Sequence, residues 1–156
     1  MARILVCTRG EDILGELGSL LNEGHPLVVV PSVAEAARAY VGVLGFHAHP
    51  LEYVADQKVN VLVCFAGKQR IELVEPAAPD STVTNFLAKR GPGLHHLAYE
   101  VEDVAAALEA VKRAGLRVID QSPRPGAHGT RIAFLHPSAM HGVLTELVEE
   151  PTEEDW

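Results

Sequence analysis

A chain of 156 residues is the size of one domain with room for a short arm. Apolar residues make up 47% and charged residues 22%, which excludes wholesale disorder and permits a buried core. Thirteen Lys plus Arg against twenty-one Asp plus Glu leave a formal net charge of −8, a balance that argues against nucleic acid as the main partner.

The first 24 residues read as an arm: Arg3–Cys7 as a strand, and Asp12–Asn22 as an amphipathic helix with Ile13, Leu14, Leu17, Leu20 and Leu21. Its opening meets Glu11 and Asp12 before an apolar stretch of signal-peptide length can form, and no apolar run nears the ~20 residues that span a bilayer. A cytoplasmic protein with no membrane partner is expected. Cys7 and Cys64 lack CxxC spacing and are too few for a disulfide scaffold.

Residues 25–76 read as a first module. A strand at His25–Val30 leads to a helix over Val33–Leu44, N-capped by Ser32 with Glu35 completing a capping box, and Gly45 stands just past its end. Strands follow near Phe46–Tyr53, Val59–Phe65 and Gln69–Val74. Pro76-Ala-Ala-Pro79 then breaks the chain. The linker 77–93 holds a short helix capped by Ser81, apolar at Val83, Phe86 and Leu87 and basic at Lys89 and Arg90 before Gly91. Residues 94–150 repeat the first pattern: a strand Leu94–Val101, an Asp103 cap, a helix Val104–Ala114, Gly115, and strands near Leu116–Asp120, Arg131–Leu135 and Gly142–Val148. An acidic tail, 151–156, closes the chain. The expected class is α+β, one domain over 25–150 with the order βαβββ twice.

The duplication has markers. Glu72-Leu-Val-Glu75 recurs 74 residues on as Glu146-Leu-Val-Glu149, and His25-Pro-Leu-Val-Val-Val-Pro-Ser32 is answered 71 residues on by His96-Leu-Ala-Tyr-Glu-Val-Glu-Asp103. It singles out His25 and Glu72 in one half, His96 and Glu146 in the other. A carboxylate between apolar strand neighbours is costly to bury unless a cation or hydrogen bonds compensate. Two imidazoles and two carboxylates meeting at one point suit a borderline divalent metal with positions left for substrate; Co²⁺, Zn²⁺, Ni²⁺ and Mn²⁺ all accept such donors. His47, His49, His95, His128, His136 and His141 are read as core or surface histidines, with His95 on the opposite strand face from His96.

Several segments carry a resemblance: Ile71-Glu-Leu-Val-Glu-Pro76, Asp80-Ser-Thr-Val with Phe86-Leu-Ala-Lys-Arg-Gly91, Gly93-Leu-His-His-Leu-Ala98, Gly126-Ala-His-Gly-Thr-Arg-Ile-Ala-Phe-Leu-His-Pro137 and Gly142-Val-Leu-Thr-Glu-Leu-Val148. Over roughly 25–150 the chain resembles the vicinal oxygen chelate (glyoxalase/bleomycin resistance) superfamily and, within it, the methylmalonyl-CoA epimerase family. The resemblance implies two βαβββ modules paired into a curved mixed sheet around a metal cleft. It implies one divalent ion, Co²⁺ in the first place, on His25, Glu72, His96 and Glu146. The implied activity is an isomerase that inverts carbon 2 of an acyl-CoA, methylmalonyl-CoA, by proton abstraction through a metal-stabilised enolate, with Glu146 also catalytic. Coenzyme A phosphates would need local cations, for which Lys58 and Arg131 are the expected substrate-binding residues and Lys68 and Arg70 further candidates. A homodimer is the implied assembly.

There are departures. Gly24 and Pro26 flank His25 where the family usually has Asp and a small apolar residue, Lys58 replaces a common Gly, and His128 a frequent small residue. Val61 stands where some members carry a glutamate proposed as an acid/base group; either Glu146 doubles in that role, or Glu52, Asp56 or a bound water serves. Rival expectations are a glyoxalase I-type lactoylglutathione lyase and a non-catalytic metal- or ligand-binding protein of the same fold. A dioxygenase would use two histidines and one carboxylate and leave Glu72 surplus.

Overall fold

The computed structural model describes residues 21–152. Nine strands form one mixed, unclosed sheet: β1 (Leu21–Val29), β2 (His47–Ala48), β3 (Glu52–Val54), β4 (Val59–Ala66), β5 (Gln69–Pro76), β6 (Gly93–Val101), β7 (Arg124–Pro125), β8 (Arg131–Leu135) and β9 (Thr145–Glu149). The order across the sheet is β2-β4-β5-β1-β6-β9-β8-β7, with β3 also on β4. Helices α1 (Val33–Ala37), α2 (Thr84–Arg90) and α3 (Val104–Arg113) complete two βαβββ modules. The arm strand Arg3–Cys7 and the tail beyond Thr152 lie outside the described residues. So does the helix expected over Asp12–Asn22, except that Leu21 and Asn22 belong to β1.

The duplication reaches the strand register. Parallel pairing sets Leu27 opposite Glu72 and Val28 opposite Leu73; it sets Ala98 opposite Glu146 and Tyr99 opposite Leu147. Both sets obey the sequence offsets of 71 and 74. Between them β1 and β6 pair antiparallel, so the modules join edge to edge at the centre of the sheet.

Each module buries its helix on the same face. In α3, Val104, Ala107, Leu108 and Val111 recur at helical spacing and pack on Val101, Ala133, Leu135 and Leu147. Under α1, Val33 meets Leu62, Cys64, Ile71 and Leu73. The repeated tetrapeptide now gains a structural reason. Its last glutamate reaches that face and accepts a hydrogen bond from the first amide of the module's own helix, Val33 N–H to Glu75 Oε2 at 2.6 Å and Val104 N–H to Glu149 Oε2 at 2.8 Å. Ser32 and Asp103 cap the next orphan donors, Glu35 N–H and Ala106 N–H.

Four expected elements differ. The strand near Phe46–Tyr53 is split into β2 and β3, both paired antiparallel with β4. The helix over Val33–Leu44 is α-helical only to Ala37, and Arg38–Val43 is a π-helical turn, Leu44 N–H bonding Ala39 O. The widened turn sets Ala36, Ala37, Tyr40 and Val41 together on the sheet. The strand near Leu116–Asp120 shrinks to one bridge, Val118 to Leu135, because the Asp120 side chain takes Phe134 N–H and ends the ladder. Ser81 does not cap α2, which begins at Thr84. Its hydroxyl instead donates to Gln57 O, tying the linker to the β3–β4 turn.

Candidate active site

Side-chain alternation assigns the faces. Along β5, Arg70, Glu72 and Val74 share one face, while Ile71, Leu73 and Glu75 lie on the helix face. Along β9, Glu146 and Val148 share the face of Glu72. His25 sits two residues before Leu27, the partner of Glu72, and His96 is paired with Leu27. All four histidines and glutamates nominated by the duplication therefore stand on the sheet face opposite α1 and α3.

They form two contacts. His96 Nε2 lies 2.7 Å from Glu146 Oε2, and His25 Nε2 lies 3.6 Å from Glu72 Oε1. Side-chain exposure is 8% for His96, 13% for Glu146, 14% for His25 and 16% for Glu72. Burial pushes His25 below the usual imidazole range, helped by Arg70 and His96 and opposed by Glu72 and Glu146, so both pairs act on this ring. Its neutral nitrogen suits a metal ligand. Among the described residues, no three His, Cys, Asp or Glu side chains stand close enough together to hold an ion. The donor set nevertheless fits a borderline divalent cation: two imidazoles and two mostly buried carboxylates, already matched in pairs.

His95 is not on the opposite face. Leu27 pairs with His96 but Val28 pairs with Leu94, so β6 carries one extra residue, and this bulge turns His95 toward its neighbour. The two Nδ1 atoms are 2.8 Å apart, and the His95 ring packs edge-on to Phe86 at 4.8 Å between centroids. Burial first, then His96 and Arg90, lower His95 to about 4. With Nε2 donating to Glu146, His96 accepts at Nδ1. With Nε2 given to a cation, it would donate there; a neutral His95 can serve either tautomer.

Gly24 is explained by space. A Cβ there would stand 2.6 Å from Ala98 O and from the Tyr99 ring, so a side chain before His25 would force β6 away. Val61 is buried with Val29, Val59, Val74 and Val83 beneath Phe86, Leu87 and Ala127. It cannot carry a proton. Its strand partner Glu52 shares its face, and Glu52 Oε2 lies 3.4 Å from His128 Nε2. His128 stands at φ 56°, ψ 35° in a loop braced by Thr130 Oγ1 donating to Ala127 O.

Both expected phosphate cations are engaged in ion pairs. Lys58, at φ 53°, is held by Asp80 at the β3–β4 turn. Arg131 is the strand partner of Glu149 on the helix face, with Nη1 3.8 Å from Glu149 Oε1. Lys68 and Arg70 do line the cleft. A cavity of about 360 Å³ there is bounded by His25, Phe65, Lys68, Arg70, Glu100 and Glu150. A larger depression of about 650 Å³ lies at the module-one edge among Leu44, Phe46, His47 and His49, lined by none of the four residues and by no carboxylate. Sequence reasoning missed the bulge at His95 and the helix-binding role of Glu75 and Glu149. The repeated tetrapeptide was the available signal for the glutamates, since two carboxylates three apart in a strand face opposite ways.

The family described as the Glyoxalase/Bleomycin resistance protein/Dioxygenase superfamily matches residues 24–134, and the chain belongs to it. Within that superfamily it stands with the epimerase enzymes. It is 42% identical over 125 residues to the uncharacterized protein YqjC of Bacillus subtilis, covering 80% of this chain and 89% of that one. It is 38% identical over 125 residues to the ethylmalonyl-CoA/methylmalonyl-CoA epimerase of Cereibacter sphaeroides, covering 79% and 93%. A solved methylmalonyl-CoA epimerase in complex with methylmalonyl-CoA and NH4+ superposes with a TM-score of 0.72 at 33% identity, over 85% of this chain and 96% of that one.

Proposed function

We propose that this chain is a metal-dependent methylmalonyl-CoA epimerase working as one unit over residues 25–150, with His25, Glu72, His96 and Glu146 as ligands of a single divalent ion. The observation that carries the reading is the placing of two equivalent His/Glu pairs on one sheet face, in a chain whose named relatives are epimerases. Carbon 2 of the substrate lies between a thioester and a carboxylate, and loss of its proton spreads negative charge over their oxygens. A bound divalent ion supplies the Lewis-acid stabilisation of that charge.

The protein's own groups do the rest. Glu146, at contact distance from His96, serves as proton carrier on one side of the substrate. Inversion needs a second carrier on the other side, and Glu52 is the carboxylate in the row of Val61, steadied by His128 from the other module. Lys68 supplies positive charge at the cleft mouth for the coenzyme A phosphates, with Lys58 and Arg131 as further candidates. Co²⁺ as the resident ion, a homodimer as the assembly and the cytoplasm as the setting belong to the same reading.

The test is to incubate metal-loaded protein with one epimer of methylmalonyl-CoA in D₂O and follow deuterium at carbon 2. Exchange with inversion above a metal-stripped control is expected. No exchange contradicts the epimerase reading, and turnover of methylglyoxal with glutathione in its place would favour the lyase.

A further inference from the structure

The duplication holds in strand register but breaks beside the cleft glutamates. Two residues before each cleft glutamate, module one carries Arg70 and module two carries Leu144. Arg70 Nη2 donates to Glu72 Oε1 at 2.5 Å, and that oxygen is the one facing His25 Nε2 at 3.6 Å. In module two the leucine offers no charge, and the His96–Glu146 contact closes to 2.7 Å. One carboxylate of the site is thus neutralised from within and the other is not.

The guanidinium is only half used. Nε–H and Nη2–H form the side-on fork with which arginine grips a carboxylate through two parallel bonds. Here Glu72 takes Nη2 alone, and Arg70 Nε is buried with no hydrogen-bond partner among the described residues. Buried donors without acceptors are rare and mark a missing partner or a functional demand. The same side chain lines the cavity of about 360 Å³ beside His25 and Lys68. A carboxylate oxygen that hydrogen-bonds a guanidinium has less charge to give a metal ion, so the two cations compete for Glu72.

We propose that Arg70 is an internal counter-cation for Glu72 that a divalent ion displaces, and that the freed guanidinium receives the carboxylate of the substrate. The second half rests on the epimerase reading above; the first does not. The arrangement makes ion and substrate interdependent, because Arg70 finds its full two-bond partner only when both are present.

The experiment compares the full chain with R70M and R70K. Affinity for Co²⁺ is measured first, without substrate, by competition with a chromophoric chelator. R70M should bind the ion about tenfold more tightly, with R70K nearer the wild type. Unchanged or weaker binding by R70M overturns the counter-cation. With ion at saturation, R70M should raise KM for methylmalonyl-CoA by roughly 10–100-fold. Its inhibition constant for propionyl-CoA, which lacks the carboxylate, should stay within about twofold of the wild type. An equal loss for both thioesters overturns the carboxylate assignment. Absence of any turnover by the metal-loaded wild type overturns the epimerase reading and the carboxylate half with it, while the chelator measurement decides the counter-cation half by itself. R70K, which keeps a charge on the strand, separates loss of the fork from loss of folding.

Discussion

At His95 one additional residue in a strand reshapes the chemistry of its neighbour. The bulge sets two imidazoles Nδ1 to Nδ1, with the Phe86 ring edge-on to His95 and the charge of Arg90 acting on it. The ring resists protonation down to about 4, whereas an unfolded histidine protonates near 6.5. The unfolded chain therefore gains a proton first, and the stability that His95 contributes above pH 6.5 is lost as pH falls toward 4. His25, also lowered, adds in the same sense. In metal-stripped protein, His95→Phe, which keeps a ring against Phe86, should flatten the decline of the urea midpoint between pH 6.5 and 4; an unaltered slope contradicts the assignment. At Glu52, E52Q should slow inversion by about 10²–10⁴-fold while deuterium still enters one of the two epimers through Glu146. Inversion at the wild-type rate would remove Glu52 from the mechanism. The four metal-ligand candidates were legible in the sequence because duplication marked them in pairs. The bulge was not, since Leu94-His-His-Leu97 has the same composition whether the strand alternates regularly or gains a residue.

At the element scale, the ELVE repeat divides its two acids between tasks. One faces the cleft, and the other clamps the start of a helix across the sheet. The second oxygen of each is engaged too: Glu75 Oε1 accepts from Asn60 Nδ2 at 2.9 Å, and Glu149 Oε1 lies 3.8 Å from Arg131 Nη1. Glu75→Ala and Glu149→Ala should each lower stability by about 1–3 kcal/mol in urea unfolding, and their effects should add within about 0.5 kcal/mol because the two clamps share no partner. A negligible cost for both would mean that packing alone seats the helices. Periodicity located α3 to within a residue, since Val104, Ala107, Leu108 and Val111 occupy one stripe. It failed at Leu116–Asp120, where the aspartate side chain replaces a ladder partner, and at Arg38–Val43, where a π-turn shifts the stripe. Both failures come from tertiary bonding that a local pattern does not contain.

At the scale of the whole molecule, the β1–β6 seam is what brings the two His/Glu pairs to one sheet face. Each module alone would present a histidine, a glutamate and a sheet edge; joined antiparallel, they set both pairs on a common face. Among the described residues no helix is long and apolar enough to cross a membrane. Attraction between a shared cation and four donors would couple the modules, so the metal-loaded protein should unfold in one step at a midpoint above that of the stripped protein. The most direct measurement is Co²⁺ stoichiometry and affinity for the wild type beside His25→Ala and His96→Ala. One ion per chain, with tight binding lost in either variant, is the predicted result. Two ions per chain, or full affinity in either alanine variant, would contradict a single centre built from both modules.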